Sequence, residues 1–215
     1  MRFFLKCFLI LMILSDSSFS VGTELPDSIE LGIFNGFVKN LDNNSKLKVS
    51  VEFKKKVVTF EKKTKVANSE NNTMRAFADL IENGNKIIEC KSWELGGRAF
   101  QNFVLGNITT GSVKQFITYL SDQQKVTSMD NIEYWFDKMK LDGSTDETPI
   151  KLKFKQMMCT GTGNVITLTT AGESIWTAIS NNVSLLNDLN VQTKSEFINH
   201  ISNIENKFYN FIKVK

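Results

Sequence analysis

The stretch from Arg75 to Trp93 reads RAFADLIENGNKIIECKSW, two short apolar runs joined by the turn ENGN. Asp79 lies near the end of the first run, and Glu89 and Lys91 lie in the second. Because side chains alternate across a strand, Glu89 and Lys91 share one face. A tight Asn-Gly turn would fold the first run back beside the second. We therefore expect two carboxylates and one ammonium group to meet at one point.

This charged cluster predicts a site for a divalent metal ion. Paired carboxylates repel each other, and a hard cation that prefers oxygen ligands offsets that repulsion. The alternative is a surface hairpin whose charged face is only solvated. The apolar residues Ile87, Ile88 and Trp93 argue against that alternative, because they indicate a strand partly buried on both faces, where unpaired charges are costly.

Residues 1–20 carry the pattern of a secretory signal peptide. Arg2 and Lys6 precede the apolar run Cys7 to Leu14, and the segment Ser18 to Ser20 supplies small residues for cleavage. A membrane anchor is disfavoured, because crossing a bilayer takes about twenty apolar residues. We expect a secreted protein that has no stable membrane anchor once the signal is removed.

The remaining residues, 21–215, are enough for one domain with its own core. Only Cys90 and Cys159 remain in it, too few to hold a fold by disulfides, and whether they are bridged stays open. The net charge is only +3, but eight lysines crowd the segment Lys46 to Lys65. That segment is either a surface that attracts a polyanion or a set of strand edges protected by lysine.

The hydrophobic periodicity predicts a mixed α/β (α+β) domain with a small central sheet flanked by helices. The segment 145–158 has a lysine alternation that is hard to assign, and the apolar segment 99–105 has no assigned type. The predicted elements are a helix at 29–41, strands at 47–53 and 57–60, a polar loop at 68–73, the hairpin of 75–93, a helix at 112–120, strands at 132–136 and 165–168, a helix at 173–179 and one amphipathic C-terminal helix over 194–215.

This order resembles the core of the PD-(D/E)xK nuclease superfamily, the restriction-endonuclease-like fold: a helix, a three-stranded meander, a helix and a further strand. The resemblance rests on Asp79, on the triplet Glu89-Cys90-Lys91 after an apolar run, and on Gln115 and Tyr119. The last two match a Gln-x-x-x-Tyr element that some branches carry on the helix after the catalytic strand. The proline of the family name is absent, since Ala78 precedes the aspartate.

The resemblance covers residues 28–136 and leaves residues 145–215 as a C-terminal extension without an assigned role. It implies hydrolysis of phosphodiester bonds with magnesium, or manganese, as the cofactor. Asp79 and Glu89 would hold the ion, and Lys91 would orient the attacking water and offset the developing charge. A further metal ligand from the first helix is expected at Glu30, with Glu70 as the alternative.

The resemblance also implies substrate-binding residues. Gln115 and Tyr119 lie one helical turn apart and share a face, which in the family approaches the nucleic acid backbone. Their alternative is a polar surface pair with Tyr119 packed in the core. Trp93 follows Lys91 by two residues and is a candidate substrate contact, although large aromatic residues usually belong to the core.

We therefore expect an exported metal-dependent nuclease, an endonuclease rather than an exonuclease, that acts as a toxin or effector on DNA or RNA. Its expected partners are nucleic acid and an immunity or inhibitor protein. The principal alternative is a secreted, non-enzymatic binding or adhesion protein that uses its basic surface. A third possibility is a nuclease fold that has lost activity and only binds nucleic acid. His200 is the single histidine, and the chain has neither a Gly-x-Ser-x-Gly elbow nor a nucleotide-binding P-loop.

Overall fold

The structure is a computed structural model of the 215-residue chain. It describes residues 20–21, 48–53, 56–62, 65–66, 76–82, 84–162 and 165–215. The predicted helix at 29–41, the polar loop at 68–73 and the candidate ligands Glu30 and Glu70 lie outside these residues. So does the predicted signal peptide, apart from Ser20.

The described residues form eleven strands and six α-helices. The strands are β1 (Ser20–Val21), β2 (Lys48–Phe53), β3 (Lys56–Lys62), β4 (Lys65–Val66), β5 (Ala76–Phe77), β6 (Leu80–Glu82), β7 (Lys86–Lys91), β8 (Ile132–Phe136), β9 (Cys159–Thr162), β10 (Val165–Leu168) and β11 (Ile212–Val214). The helices are α1 (Arg98–Val104), α2 (Gly111–Leu120), α3 (Thr148–Met158), α4 (Thr170–Ser180), α5 (Val183–Leu189) and α6 (Lys194–Ser202).

A seven-stranded sheet in the order β1-β2-β3-β6-β7-β8-β11 forms the centre of the fold. Strands β2, β3, β6 and β7 are antiparallel neighbours, whereas β7, β8 and β11 run parallel to one another. Parallel neighbours need a crossover connection, and helices α1 and α2 supply it between β7 and β8. The prediction of a mixed α/β domain is confirmed.

The first apolar run of the hairpin is not one strand. Strand β5 ends at Phe77 and pairs with β4, and β6 begins only at Leu80, so Asp79 lies in a bend between two short strands. The predicted turn is present: the N–H of Asn85 donates to the carbonyl of Glu82 at 3.2 Å. Gly84 has a φ of +80° there, a conformation that favours glycine. Because of this bend, Asp79 takes no part in strand pairing, and its side chain reaches the backbone of β7.

The helices bury one face of the sheet. Helix α2 confirms the predicted helix, and its apolar residues Val113, Phe116, Ile117 and Leu120 are all buried. The unassigned segment 145–158 contains helix α3, which buries residues at helical spacing and leaves its lysines at least partly exposed. None of the described helices has the length and apolar character needed to span a membrane. Cys90 and Cys159 are not joined by a disulfide.

The prediction of one C-terminal helix over 194–215 is wrong. Helix α6 ends at Ser202, a 3-10 helix follows at Lys207–Phe211, and β11 then pairs in parallel with β8. A surface helix buries only one stripe, whereas Phe208, Tyr209, Phe211 and Ile212 are all buried. These residues are instead buried by the 3-10 helix and by the first residue of β11, which joins the edge of the sheet. Residues 145–215 therefore complete the core and the sheet.

Candidate active site

Strand β7 brings Glu89 and Lys91 to the same face of the sheet. The Nζ atom of Lys91 donates to Oε1 of Glu89 at 2.5 Å. Only 3% of Glu89 and 9% of Lys91 is exposed, although both residues are ionisable. Strands seldom bury a charged pair of this kind without further partners, because desolvation is costly. The neighbouring elements supply those partners.

Asp79 joins this pair from the bend before β6. Its Oδ2 accepts a hydrogen bond from the backbone N–H of Cys90 at 3.0 Å. The carbonyl of Lys91 accepts from the N–H of Asp137, which follows β8. Backbone groups alternate between the two edges of a strand, so the N–H and carbonyl of Cys90 face Asp79. The Asp79 carboxylate and the Cys90 carbonyl thus lie at the same edge of β7, and the Glu89 carboxylate lies close enough for the charge of Asp79 to raise its pKa.

Helix α2 supplies two further hydrogen-bond partners for Glu89 and Lys91. Oε1 of Gln115 accepts from Nζ of Lys91 at 3.3 Å, and Nε2 of Gln115 donates to the hydroxyl of Tyr119 at 2.7 Å. The Tyr119 hydroxyl in turn donates to Oε2 of Glu89 at 2.9 Å. Glu89, Lys91, Gln115 and Tyr119 therefore close a ring of hydrogen bonds, here called the Glu89 ring. The structure brings together five of the predicted site residues: these four and Asp79.

Burial controls the charge of the central carboxyl. The pKa of Glu89 is raised from 4.5 to about 7, mainly because burial desolvates the carboxylate, and the nearby charge of Asp79 acts in the same direction. Lys91 and the hydrogen bond from Tyr119 act in the opposite direction without cancelling the effect of burial. Near neutral pH the Glu89 carboxyl is therefore poised between its protonated and ionised forms. A cation placed between Asp79 and Glu89 would favour the ionised form.

The donor set fits magnesium or manganese. Both ions prefer oxygen ligands, and magnesium keeps several waters while binding one or two carboxylates. Within the described part of the chain, no three acidic, histidine or cysteine side chains are grouped closely enough to hold a metal ion. Asp79 and Glu89 are the carboxylates at this point that could hold such an ion, and the carbonyl of Cys90 faces the same strand edge.

Trp93 lies beyond the end of β7, is partly buried and packs against the aromatic core. Its ring centroid is 5.1 Å from that of Phe100 and 6.0 Å from that of Phe136. Nζ of Lys91 lies 5.4 Å from the centroid of the Trp93 ring. The Trp93 ring therefore lies beside the Lys91 ammonium group, at a distance that allows a cation–π interaction. Glu30, the predicted third metal ligand, lies outside the described residues.

The sequence did not point to Tyr134. This residue lies in β8 directly opposite Glu89 in the parallel register. Its hydroxyl is fully buried and has no hydrogen-bond partner among the residues that the structure describes. Burial, followed by the charges of Glu89 and Asp79, raises the pKa of Tyr134 well above its usual value. The strand at 132–136 was predictable, but its register against β7 was not.

The stability that Glu89 contributes to the metal-free protein is expected to fall as the pH rises from 4.5 to about 7. In this window the Glu89 carboxyl binds more protons in the folded state than in the unfolded state, because folding raises its pKa. The contribution is complete below the unfolded pKa and is lost as the pH rises through the folded pKa. Its size is on the order of 3 kcal/mol.

The measurement compares thermal unfolding of the wild type and of Glu89→Gln in a chelator between pH 4.5 and 8. The difference between the two proteins isolates Glu89. His200 titrates with the opposite sign, because burial lowers its pKa, but it is present in both. A difference in stability that does not change with pH would contradict the expectation.

Comparisons with known protein families, with curated proteins and with solved structures return no match to this chain.

Proposed function

We propose that this protein is a magnesium-dependent nuclease of the restriction-endonuclease-like fold that hydrolyses phosphodiester bonds in DNA or RNA. The observation that supports the proposal best is the convergence of Asp79, Glu89 and Lys91 on one point of the sheet, with Asp79 bonded to the strand backbone between the other two. An acid pair and an amine in this arrangement fit metal-assisted phosphodiester hydrolysis.

The topology supports the same proposal. Strands β3, β6 and β7 form an antiparallel meander, and β8 follows a helical crossover and lies parallel to β7. That is the order of strands and crossover helix in the family that the sequence resembles. Glu89 and Lys91 lie on β7 and Gln115 lies on α2, which are the expected elements, whereas Asp79 lies in a bend directly before β6 instead of inside a strand.

Each residue of the site receives a role in this proposal. Asp79 and Glu89 bind the metal ion through their carboxylates. A bound magnesium ion supplies a Lewis acid for the scissile phosphate and lowers the pKa of the attacking water. Lys91 orients that water and stabilises the negative charge that develops on the phosphate. Gln115 accepts a hydrogen bond from Lys91 and fixes the direction of its ammonium group.

The test is cleavage of a supercoiled plasmid and of a single-stranded RNA by the purified protein. We expect nicked and linear plasmid, or internal RNA fragments, in the presence of magnesium. A chelator should stop the reaction, and manganese should restore it. Absence of cleavage of both substrates with either metal ion would overturn the proposal. Binding that weakens with salt but is not followed by hydrolysis would instead support a protein that only grips nucleic acid.

Export as a toxin or effector is a further part of the proposal, supported by the signal-like pattern in residues 1–20. Exporting a nuclease protects the producing cell from an active internal copy. An inhibitor protein that covers the Glu89 ring would serve the same purpose. The test is recovery of the protein outside the producing cells, with its first residue near Val21. A full-length protein retained inside would contradict this part.

A further inference from the structure

The chain has three tyrosines, and all three are buried. The hydroxyl of Tyr119 donates to Glu89, and the hydroxyl of Tyr209 donates to the carbonyl of Ile201 at 2.6 Å. The hydroxyl of Tyr134 has no partner among the described residues. A buried hydroxyl without a hydrogen bond lowers stability, so its presence in a native structure calls for a reason.

The position of Tyr134 suggests that reason. It lies opposite Glu89 in the register of β7 and β8, on the same face of the sheet. Nζ of Lys91 lies 5.7 Å from the centroid of the Tyr134 ring and 2.5 Å from Oε1 of Glu89. Phe116 and Phe154 contact the tyrosine ring edge-on and hold it in place. The Tyr134 ring thus lies beside the buried ion pair of Glu89 and Lys91.

The proposed chemistry would change the hydrogen bonds of Glu89. In the structure, Oε1 of Glu89 accepts from Lys91 and Oε2 accepts from Tyr119. In the proposed reaction Lys91 keeps its hydrogen bond to Gln115 but donates to the attacking water instead of to Glu89, so Oε1 loses its donor while the carboxylate has to stay ionised for the metal ion. A neutral hydroxyl can replace the lysine there without neutralising the charge that binds the metal.

We propose that Tyr134 is a positioning residue whose hydroxyl donates a hydrogen bond to the Glu89 carboxylate when a metal ion is bound. This inference rests on the proposed function, because it requires Glu89 to be a metal ligand. The metal-free protein carries the cost of the unsatisfied hydroxyl, and the metal-bound protein recovers it. Tyr134 would therefore strengthen metal binding while it weakens the metal-free fold.

The decisive variant is Tyr134→Phe, which removes the hydroxyl and keeps the ring. The melting temperature of the metal-free variant should be unchanged or higher by about 2 to 4 °C, because the unsatisfied group is gone. The affinity for manganese, measured by titration calorimetry without nucleic acid, should fall roughly tenfold or more. Neither measurement depends on catalytic activity.

Tyr209→Phe is the matched control. It removes a buried hydroxyl that has a hydrogen bond and lies outside the Glu89 ring. This control should melt at a lower temperature and bind manganese like the wild type. The opposite pattern in the two variants separates a metal-dependent role of Tyr134 from a general effect of removing buried hydroxyls.

Two outcomes would overturn the inference. The first is a Tyr134→Phe protein that binds manganese as tightly as the wild type. The second is a metal-free Tyr134→Phe protein that melts several degrees lower, because that result would mean that the hydroxyl is already hydrogen-bonded without metal. A wild-type protein that binds no manganese would instead remove the proposed function, so the two failures can be told apart.

Discussion

Replacing Lys91 with methionine is expected to slow phosphodiester cleavage by about a thousandfold or more. Methionine keeps the unbranched aliphatic chain but removes the ammonium group that stabilises the developing charge. The fold should survive, because Glu89 already has a pKa of about 7 and takes up a proton when its cation is lost. The measurement is the initial rate of cleavage with magnesium, together with the thermal unfolding of both proteins.

The control for this prediction is Lys86→Met in the same strand. Lys86 forms an ion pair with Glu133 at 2.6 Å. Strand alternation places this pair on the opposite face from Glu89. This variant loses a lysine and an ion pair of similar length, but it should cleave within about twofold of the wild-type rate, as expected for a partly exposed ion pair outside the site. Wild-type cleavage by Lys91→Met, or an equal loss in Lys86→Met, would contradict the role given to Lys91.

Replacing Asp79 with asparagine is expected to weaken manganese binding by about a hundredfold or more and to abolish magnesium-dependent cleavage. The change removes one of the two carboxylates that would hold the ion. Asparagine keeps an oxygen that can accept the hydrogen bond from the N–H of Cys90, so the bend should remain in place. Titration calorimetry with manganese and thermal unfolding of the metal-free protein measure the two effects separately.

Asp188→Asn is the matched control for the aspartate. The Asp188 carboxylate accepts hydrogen bonds from Ser128, from the N–H of Met129 and from Lys207, and so links three elements away from the Glu89 ring. This variant should lose stability and keep its affinity for manganese. If Asp79→Asn bound manganese normally, or if both variants lost binding equally, the candidate metal site would be wrong.

Much of the fold could be predicted because the signal was local. The short apolar and aromatic run at 132–136 predicted β8, and the spacing of Val113, Phe116 and Leu120 predicted α2. These patterns reflect which side chains are buried by a single regular element. The prediction failed where burial came from several directions at once. Ile204, Phe208 and Phe211 have the spacing of a helix, but this segment forms a 3-10 helix and a strand that bury Phe208, Tyr209, Phe211 and Ile212.

The candidate site likewise has a part that local sequence patterns predicted and a part that they did not. Period-two geometry on β7 was enough to place Glu89 and Lys91 on one face, and helical geometry was enough to place Gln115 and Tyr119 on one face of α2. The bend at Asp79 was not foreseen, since the apolar pattern runs through it without a glycine or proline. The tertiary structure shows that β5 pairs with β4 in a separate two-stranded sheet while β6 joins the central sheet, and the bend at Asp79 lies between the two.

Local chemistry by itself determined which residues carry charge and which of them share a strand or a helix face. The tertiary structure decided that the face of α2 packs over β7, so that Tyr119 meets Glu89 across 30 residues of chain. It also decided the register that sets Tyr134 opposite Glu89. The physical reason is that register and helix placement follow from packing the whole buried face at once, and no short stretch of sequence contains that information.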